Sequence, residues 1–265
     1  MPLTVTMLGS GTSAGVPMIG CHCPVCSSPD PRDRRSRPSI VLSYPGPDSM
    51  PHNILVDTTP ELRLQAVRER LDRISAVVFT HAHADHIFGL DDVRRYNLLM
   101  GAPLPLYAAP DTMATLRHCF PYAFEPPRPP GVRDALFRPE ILPTLIEGPF
   151  DLFGRSWEPL QLPHGRATVL GFRVGNFAYC TDCHDIPPAA RQRLRGLDAL
   201  IIDGLRPRPH PTHLSFEQSL AVIADLQPRR AFFTHLSHDL THAAIEATLP
   251  PHVRVGYDGL KFEVE

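Results

Sequence analysis

Four metal-binding side chains lie within six residues, directly after a short apolar segment, and this feature constrains the fold most. Residues 76–80 (AVVFT) predict a buried strand, and the segment HAHADH follows it. Alternation along the extended end of the strand places His81 and His83 on one side. Asp85 and His86 come about one turn later, so the segment can reach two adjacent metal ions. Imidazole and carboxylate ligands together suit Zn, Mn or Fe.

This segment resembles the His-x-His-x-Asp-His signature of the metallo-β-lactamase superfamily. The resemblance implies three further ligands downstream, and each has a candidate next to an apolar run: His164, Asp182 and His235. It implies that one ion is held by His81, His83 and His164. It implies that a second ion is held by Asp85, His86 and His235, and that Asp182 bridges the two. Asp57, which ends another apolar run, would brace these ligands from behind.

Two ions about 3.5–4 Å apart can hold a bridging hydroxide at neutral pH and stabilise a developing oxyanion. On a phosphodiester, such a hydroxide attacks phosphorus in line, and an alkoxide leaving group then needs a proton. His213, just before a predicted helix over residues 216–226, is the candidate acid. The phosphodiesterase branch of the superfamily has a similar histidine, which acts with the aspartate of the metal motif, here Asp85. A helix-capping role for His213 and an acid role for His210 are the alternatives.

Three cysteines, Cys21, Cys23 and Cys26, fall within six residues and indicate a second metal site. Structural zinc takes four soft or borderline ligands in a closed tetrahedron. Either His238 or the nearer His22 can supply the fourth ligand. Ordinary or redox-sensing thiols are the alternative to a zinc site.

The cysteine motif follows a glycine-rich first loop, and the chain ends with GYDG at residues 256–259. Together with the His-x-x-His pattern formed by His235 and His238, these features resemble the PhnP family of phosphoribosyl 1,2-cyclic phosphate phosphodiesterases. The resemblance covers nearly the whole chain. It implies a small cyclic phosphodiester as substrate and two divalent ions in the active site, Mn or Zn and possibly Fe. It also implies a structural zinc in the loop at about residues 20–27, held by Cys21, Cys23, Cys26 and His238.

Strand and helix patterns alternate along the chain without a linker-like break. We therefore expect one α/β domain over residues 1–265. The superfamily resemblance implies an αββα sandwich, in which two mixed β-sheets are flanked by helices. Residues 121–143 are rich in proline and predict an irregular insertion, either a surface excursion or a cover over the active site.

The net charge of −2 gives no reason to expect stable binding to nucleic acid. No apolar run approaches the roughly 18–20 residues of a membrane span, and the first residues lack the basic region of a signal peptide. We therefore expect a cytoplasmic protein that binds a small anionic phosphodiester and no membrane, as a monomer or a homodimer. Arg94, Arg206 and Arg208 are candidate phosphate contacts, with solvated surface charge as the alternative.

Other functions stay open at this point. One is a different hydrolase of the same fold: a protein like that of the pyrroloquinoline quinone pathway, which has a similar cysteine motif, a nuclease, or a lactone or thioester hydrolase. Another is a metal-binding protein without catalysis. The segment around His213 favours a phosphodiesterase, and the complete ligand set argues against the non-catalytic alternative.

Overall fold

The computed structural model describes residues 2–126 and 138–265, and its strands form two sheets of seven strands each. The first sheet contains β1 (Leu3–Gly9), β2 (Ser39–Pro45), β3 (Pro51–Val56), β4 (Ala76–Val78), β5 (Leu104–Ala108), β6 (Ile141–Leu145) and β14 (Lys261–Val264). The second contains β7 (Phe150–Leu152), β8 (Arg155–His164), β9 (Ala167–Val174), β10 (Phe177–Cys180), β11 (Ala199–Asp203), β12 (Arg230–Thr234) and β13 (Val253–Val255).

The helices cover the outer faces of the sheets. They are α1 (Leu62–Arg68), α2 (Ala84–Ile87), α3 (Arg94–Met100), α4 (Pro110–Cys119), α5 (Pro188–Arg193), α6 (Phe216–Leu226) and α7 (His242–Glu246). Short 3₁₀ helices lie at Pro31–Asp33, Leu90–Val93 and Pro121–Phe124. Helices α1 to α4 pack on the first sheet and α5 to α7 on the second. The expected αββα sandwich of two mixed sheets is therefore confirmed.

Alternating side chains explain why each sheet is covered on both faces. In β3, Ile54 and Val56 point into the core between the sheets, whereas Leu55 packs under the helices. In β11, Ile201 faces the same inner core and Ile202 faces the outer helices. Strands that are apolar on both faces are typical of sheets buried between layers. The two sheets thus form a rigid double layer on which loops can be positioned.

The directions of the strands place the loops that carry the candidate site residues at one edge of the sheets. The strands run in the order β14-β1-β2-β3-β4-β5-β6 in the first sheet and β13-β12-β11-β10-β9-β8-β7 in the second. In the first, β3 to β6 are parallel, and in the second, β10 to β13 are parallel. Parallel strands end at a common edge, so the loops after β3, β4, β10, β11 and β12 can meet there.

One sequence expectation is corrected in part by the structure. The insertion predicted at residues 121–143 begins with a 3₁₀ helix and ends in β6, whereas residues 127–137 lie outside the described residues. Strand β6 contains Pro143, which is tolerated because β6 is the edge strand of its sheet. No helix among the described residues is long and apolar enough to cross a membrane.

Candidate metal centre and active site

Seven side chains converge at the common edge, and we call them the active-site cluster: His81, His83, Asp85, His86, His164, Asp182 and His235. They form two groups whose donor atoms lie within 4.8 Å of one another. The first group is His81, His83 and His164. The second is Asp85, His86, Asp182 and His235. Residues from four separate stretches of chain therefore meet in one cluster.

Asp182 belongs to the second group and also faces the first. Its Oδ1 is 3.1 Å from His235 Nε2 and 4.0 Å from His81 Nε2, and its Oδ2 is 3.2 Å from His86 Nε2. Its carboxylate thus faces a histidine of the first group and two of the second. This is the position that a bridging ligand would occupy.

The donor set fits divalent ions. Among the described residues, the Nε2 atoms of His81, His86 and His235 are buried without a hydrogen-bond partner. Each of these nitrogen atoms lies within 4.0 Å of the Asp182 carboxylate without forming a hydrogen bond to it. Buried polar atoms are nearly always satisfied, and three orphaned imidazole nitrogens in one cluster are the signature of metal ligands.

Electrostatics distinguish the two groups. Burial lowers the pKa of His81 and of His164, which keeps both imidazoles in the neutral form that metal ligation requires. Burial also acts to lower the pKa of His235, but the carboxylates of Asp182 and Asp85 outweigh it and raise this pKa to about 10. The pKa of His86 is likewise raised well above its usual value, against burial, by Asp182 and Asp57. The second group therefore stabilises positive charge.

Asp57 braces the cluster from behind. This carboxylate is fully buried, and it accepts hydrogen bonds from Thr80 N at 2.8 Å and Thr80 Oγ1 at 2.7 Å. Its Oδ2 also lies 2.8 Å from Nδ1 of His86. A proton on Nδ1 leaves Nε2 of His86 as a lone-pair donor directed toward the cluster. Asp57 thereby fixes the tautomer and the orientation of this imidazole.

Three of these strand-end residues have left-handed backbone conformations. The φ angles are +64° at Asp57, +57° at Asp182 and +58° at His235. A non-glycine residue in this region costs about 1 kcal/mol or more, and such residues concentrate at functional sites. The strain turns each side chain sharply off the end of its strand and into the cluster.

His213 lies against the active-site cluster, and its donor atoms come within 4.8 Å of those of His164 and Asp182 and of those of Asp203 and His235. Its ring stacks on that of His235 at 4.4 Å between centroids and lies 4.9 Å from that of His164. Asp203, the last residue of β11, accepts a hydrogen bond of 2.8 Å from His213 Nδ1. This anchor occupies Nδ1, and Nε2 of His213 has no hydrogen-bond partner among the described residues. His210 lies further out, 5.2 Å from His213 between ring centroids.

The cysteine cluster, defined as Cys21, Cys23, Cys26 and His238, is a separate site. The three Sγ atoms lie 3.3, 3.5 and 3.5 Å from His238 Nδ1. A tetrahedral zinc with ordinary Zn–S and Zn–N bonds separates sulfur and nitrogen by about 3.5 Å. A hydrogen bond from Cys26 N lowers the pKa of Cys23 to about 6, which favours its thiolate, whereas burial raises the pKa of Cys26 to about 11. The four donors fit zinc, and His22 is exposed and outside the cluster.

The candidate phosphate contacts are placed differently. Arg94 pairs with Asp91 at 2.7 Å and lines a groove between α1 and α3, apart from both metal-donor groups. Arg208 pairs with Asp239 at 3.0 Å on the surface. Arg206 donates to the carbonyl oxygens of Arg208 and Pro209 in the loop before His213. Of the three, the structure brings only Arg206 and Arg208 to the segment that carries His213.

Sequence reasoning missed two residues that support the site. Asp203 ends β11, next to β12, and the shared edge of parallel strands was the available clue. Thr80 links Asp57 to the cluster, and its Oγ1 lies 3.0 Å from Nδ1 of His81. A single threonine after a strand carries no pattern that would single it out.

The fold and the donor cluster together define a metal-dependent hydrolase of the metallo-β-lactamase fold. A family profile described as "Beta-lactamase superfamily domain" matches residues 52–236. A solved structure described as a new diphosphatase from the PhnP family has 43% sequence identity and a TM-score of 0.89, over 99% of this chain and 97% of that one. The chain belongs to the β-lactamase superfamily and, within it, to the PhnP family.

Two curated relatives extend the comparison. An octanoyltransferase from Porphyromonas gingivalis is 37% identical over 96% of this chain, which spans about half the length of that relative. The coenzyme PQQ synthesis protein B from Methylobacterium radiotolerans is 29% identical over 76% of this chain and 73% of its own length. A PqqB structure from Methylobacterium extorquens, described as Zn²⁺-bound, shares the fold at 22% identity with a TM-score of 0.74.

Proposed function

We propose that this protein hydrolyses a small phosphodiester, with a five-membered cyclic phosphate on a phosphorylated ribose as the representative substrate. The active-site cluster binds two divalent ions in this proposal, Mn or Zn and possibly Fe, and the cysteine cluster binds a structural zinc. The observation that carries the proposal is the position of His213, a buried imidazole held beside the cluster by Asp203. A proton donor at this position serves the departure of an alkoxide, which a phosphodiester requires.

Bound divalent ions would lower the pKa of water and offset the negative charge on the phosphoryl oxygens. His213 would then supply the proton that the leaving oxygen needs. Asp203 holds its Nδ1, so Nε2 can hold a proton for the leaving oxygen. Asp85, which lies 3.4 Å from His86 Nε2 and 3.8 Å from His235 Nε2, remains an ionised ligand because these imidazoles lower its pKa despite its burial. The proton donor and the ligand carboxylate are thus separate groups.

The test compares two leaving groups in one variant. The metal-loaded protein should cleave bis(p-nitrophenyl) phosphate, whose nitrophenoxide leaves without a proton. We expect His213→Ala to slow cleavage of an alkyl phosphodiester by about 10²–10⁴-fold, the usual contribution of a general acid, and to slow nitrophenoxide release much less. The measurement is kcat/KM for both substrates, with metal content determined for each preparation.

His210→Ala is the matched control, since His210 neighbours His213 and contacts no residue of either donor group among the described residues. It should leave both rates near those of the wild type. Equal slowing of both substrates by His213→Ala would show that this residue is not the acid. A panel of cyclic phosphates then identifies the substrate class.

A diphosphate is the second candidate substrate. The observation that favours it is the 43% identity to a PhnP-family protein whose structure is described as a diphosphatase. Cleavage of a phosphoanhydride releases a weakly basic phosphate, which needs less help from an acid than an alkoxide does. Diphosphate hydrolysis that is insensitive to His213→Ala, together with inactivity on cyclic phosphates, would favour this alternative.

A further inference from the structure

Near the end of the chain, a buried carboxylate holds two separate segments together. Asp258 lies in the GYDG motif at residues 256–259, and its side chain is 10% exposed. Its Oδ1 accepts hydrogen bonds from the backbone N–H of Ser10 at 3.0 Å and from the Ser10 hydroxyl at 2.9 Å. Its Oδ2 accepts from the backbone N–H and the hydroxyl of Ser36, at 2.9 and 2.5 Å, and from the guanidinium of Arg68 at 3.2 Å. Hydrogen bonds to an ionised acceptor are stronger than neutral ones, so this carboxylate fixes both serines firmly.

The segment that contains Ser10 passes this support to a donor of the active-site cluster. Ser10 lies in the loop after β1, and its carbonyl oxygen accepts a hydrogen bond of 2.9 Å from Leu236 N. Thr12 N donates in turn to the carbonyl oxygen of Leu236 at 3.0 Å. Both backbone groups of Leu236 are therefore held by this loop. Leu236 directly follows His235, whose left-handed backbone directs its imidazole into the cluster, so a shift of the loop would move this imidazole.

The segment that contains Ser36 passes the support to a donor of the cysteine cluster. The carbonyl oxygen of Ser36 accepts a hydrogen bond of 2.8 Å from Gly11 N, so the two segments that Asp258 holds also bind each other. Arg35 precedes Ser36, and its side chain is completely buried. The guanidinium of Arg35 donates to two carbonyl oxygens on either side of His238, those of Ser237 and Leu240. The backbone around His238 therefore depends on the position of the segment that Asp258 fixes.

We propose that Asp258 is a positioning residue for both metal sites, because its carboxylate fixes the backbone of residues 235–240, which carries one donor of each cluster. This inference rests on the proposed binding of ions by the two clusters. Asp258 itself belongs to neither cluster. A residue that only stabilised the fold would lower the free energy of unfolding and leave the metal affinity of the folded protein unchanged. A positioning residue lowers the affinity of both sites together, whereas Asp57 contacts a ligand of the active-site cluster alone.

The experiment measures both metal sites in the full-length variant Asp258→Asn. An amide nitrogen facing the N–H of Ser36 and the guanidinium of Arg68 would leave these donors without an acceptor, so the segment would shift. We expect the dissociation constant of the active-site cluster for Mn²⁺ to rise by about 10–100-fold, the range for substitutions behind metal ligands. We also expect the cysteine cluster to lose its zinc under mild chelation that leaves the wild type loaded. The measurements are zinc content after chelation and Mn²⁺ titration of the chelated protein, and far-UV circular dichroism verifies the fold.

Asp198→Asn is the matched control for a loss of stability alone. The side chain of Asp198 is 9% exposed, and it pairs with Arg230 at 2.9 Å. Asp198 directly precedes β11 and thus lies at the edge of the sheet opposite to the active-site cluster. This variant should lower the unfolding temperature, retain its zinc and bind Mn²⁺ as tightly as the wild type.

A double variant, Ser10→Ala with Ser36→Ala, provides an independent test that keeps the carboxylate and the backbone N–H groups. It removes both hydroxyl contacts of Asp258, and we expect a smaller loss in the same direction at both sites. Affinities that stay within about twofold of the wild type in both variants, a loss at one site only, or equal losses in Asp198→Asn would each overturn the proposal. A wild type that binds no ions would overturn the proposed function as well, whereas bound ions whose affinity is independent of Asp258 would overturn this inference alone.

Discussion

The active-site cluster and the cysteine cluster both gather metal-binding side chains, but they hold them by different means. The active-site cluster takes its donors from loops at the ends of strands and from α2, which carries Asp85 and His86, and Asp182 and His235 are almost fully buried. The cysteine cluster takes three donors from a loop between β1 and β2, and all four are partly exposed. Donors on strand ends are fixed by the sheets before any ion binds. Donors on a loop depend more on the ion for their positions.

The two regions meet in the short segment from His235 to His238. Leu236 pairs with Gly11 in an isolated bridge, which ties the segment to the loop after β1. The buried guanidinium of Arg35 donates to the carbonyl oxygens of Ser237 and Leu240 and pairs with Asp33 at 3.1 Å. Contacts within the protein therefore hold the segment that carries His238 in place independently of any bound ion. We therefore expect the two regions to differ only in how strongly the positions of their donors depend on a bound ion. Substitutions can measure this difference.

The largest expected effect follows from removing the shared ligand of the active-site cluster. We expect Asp182→Asn to lower kcat/KM for bis(p-nitrophenyl) phosphate by at least about 1,000-fold, about 4 kcal/mol of transition-state stabilisation. The reason is that Asp182 contacts histidines of both groups. Steady-state kinetics and elemental analysis check the activity and the metal content.

The cysteine cluster is the internal control for this variant. It should retain its zinc in Asp182→Asn, because none of its four donors contacts Asp182. Activity within tenfold of the wild type would show that Asp182 does not bridge two ions. Loss of both kinds of metal would show that the two regions fold as one unit.

The second effect is on stability rather than on chemistry. We expect Cys23→Ser to release the structural zinc and to lower the free energy of unfolding by about 3 kcal/mol, as loss of a structural metal does. The active-site cluster should keep its ions, since strand ends and Arg35 still hold His235 and its neighbours. Thermal unfolding and zinc content under mild chelation are the measurements.

Cys119→Ser provides the comparison, because Cys119 is an exposed thiol outside both clusters. It should change neither the zinc content nor the unfolding temperature. If a tightly held zinc persists when Cys21 and Cys23 are replaced together, the cysteine cluster is not its site.

Sequence patterns predicted the parts of the molecule that depend on local periodicity. The helix expected over residues 216–226 begins and ends as predicted: Ser215 and Gln218 form a capping box at its start, and Gln227 adopts a left-handed φ of +52° just after its end. Helix α1 ends at Arg68, and Arg70 adopts a left-handed φ of +52° soon after it. Helix ends that lack a capping motif in the sequence were less predictable than helix ends that have one.

The candidate site divides in the same way. The segment from His81 to His86 could be recognised by the spacing of its four metal-binding side chains. The later ligands were predicted from a family resemblance. Asp203 could not be distinguished from other strand-end acids, because its role depends on which strands become neighbours. Arg94 follows the metal motif in sequence, but α2 and the 3₁₀ helix after it carry the chain away to the α1–α3 groove. Proximity in sequence was a poor guide there because helices redirect the chain.

The smallest expected effect comes from a residue that orients a metal ligand without being a ligand itself. We expect Asp57→Asn to weaken binding of a divalent ion to the active-site cluster by about 10–100-fold, as substitutions behind metal ligands do. An amide NH₂ facing His86 would favour a proton on Nε2, where the lone pair must be. Titration of the metal-free protein with Mn²⁺ measures this loss.

Asp203→Asn is the matched control, since Asp203 is an equally buried strand-end carboxylate that holds His213 instead of a ligand. It should bind Mn²⁺ nearly as tightly as the wild type and slow alkoxide release. Equal losses of affinity in both variants would mean that burial of charge, rather than orientation of His86, accounts for the effect.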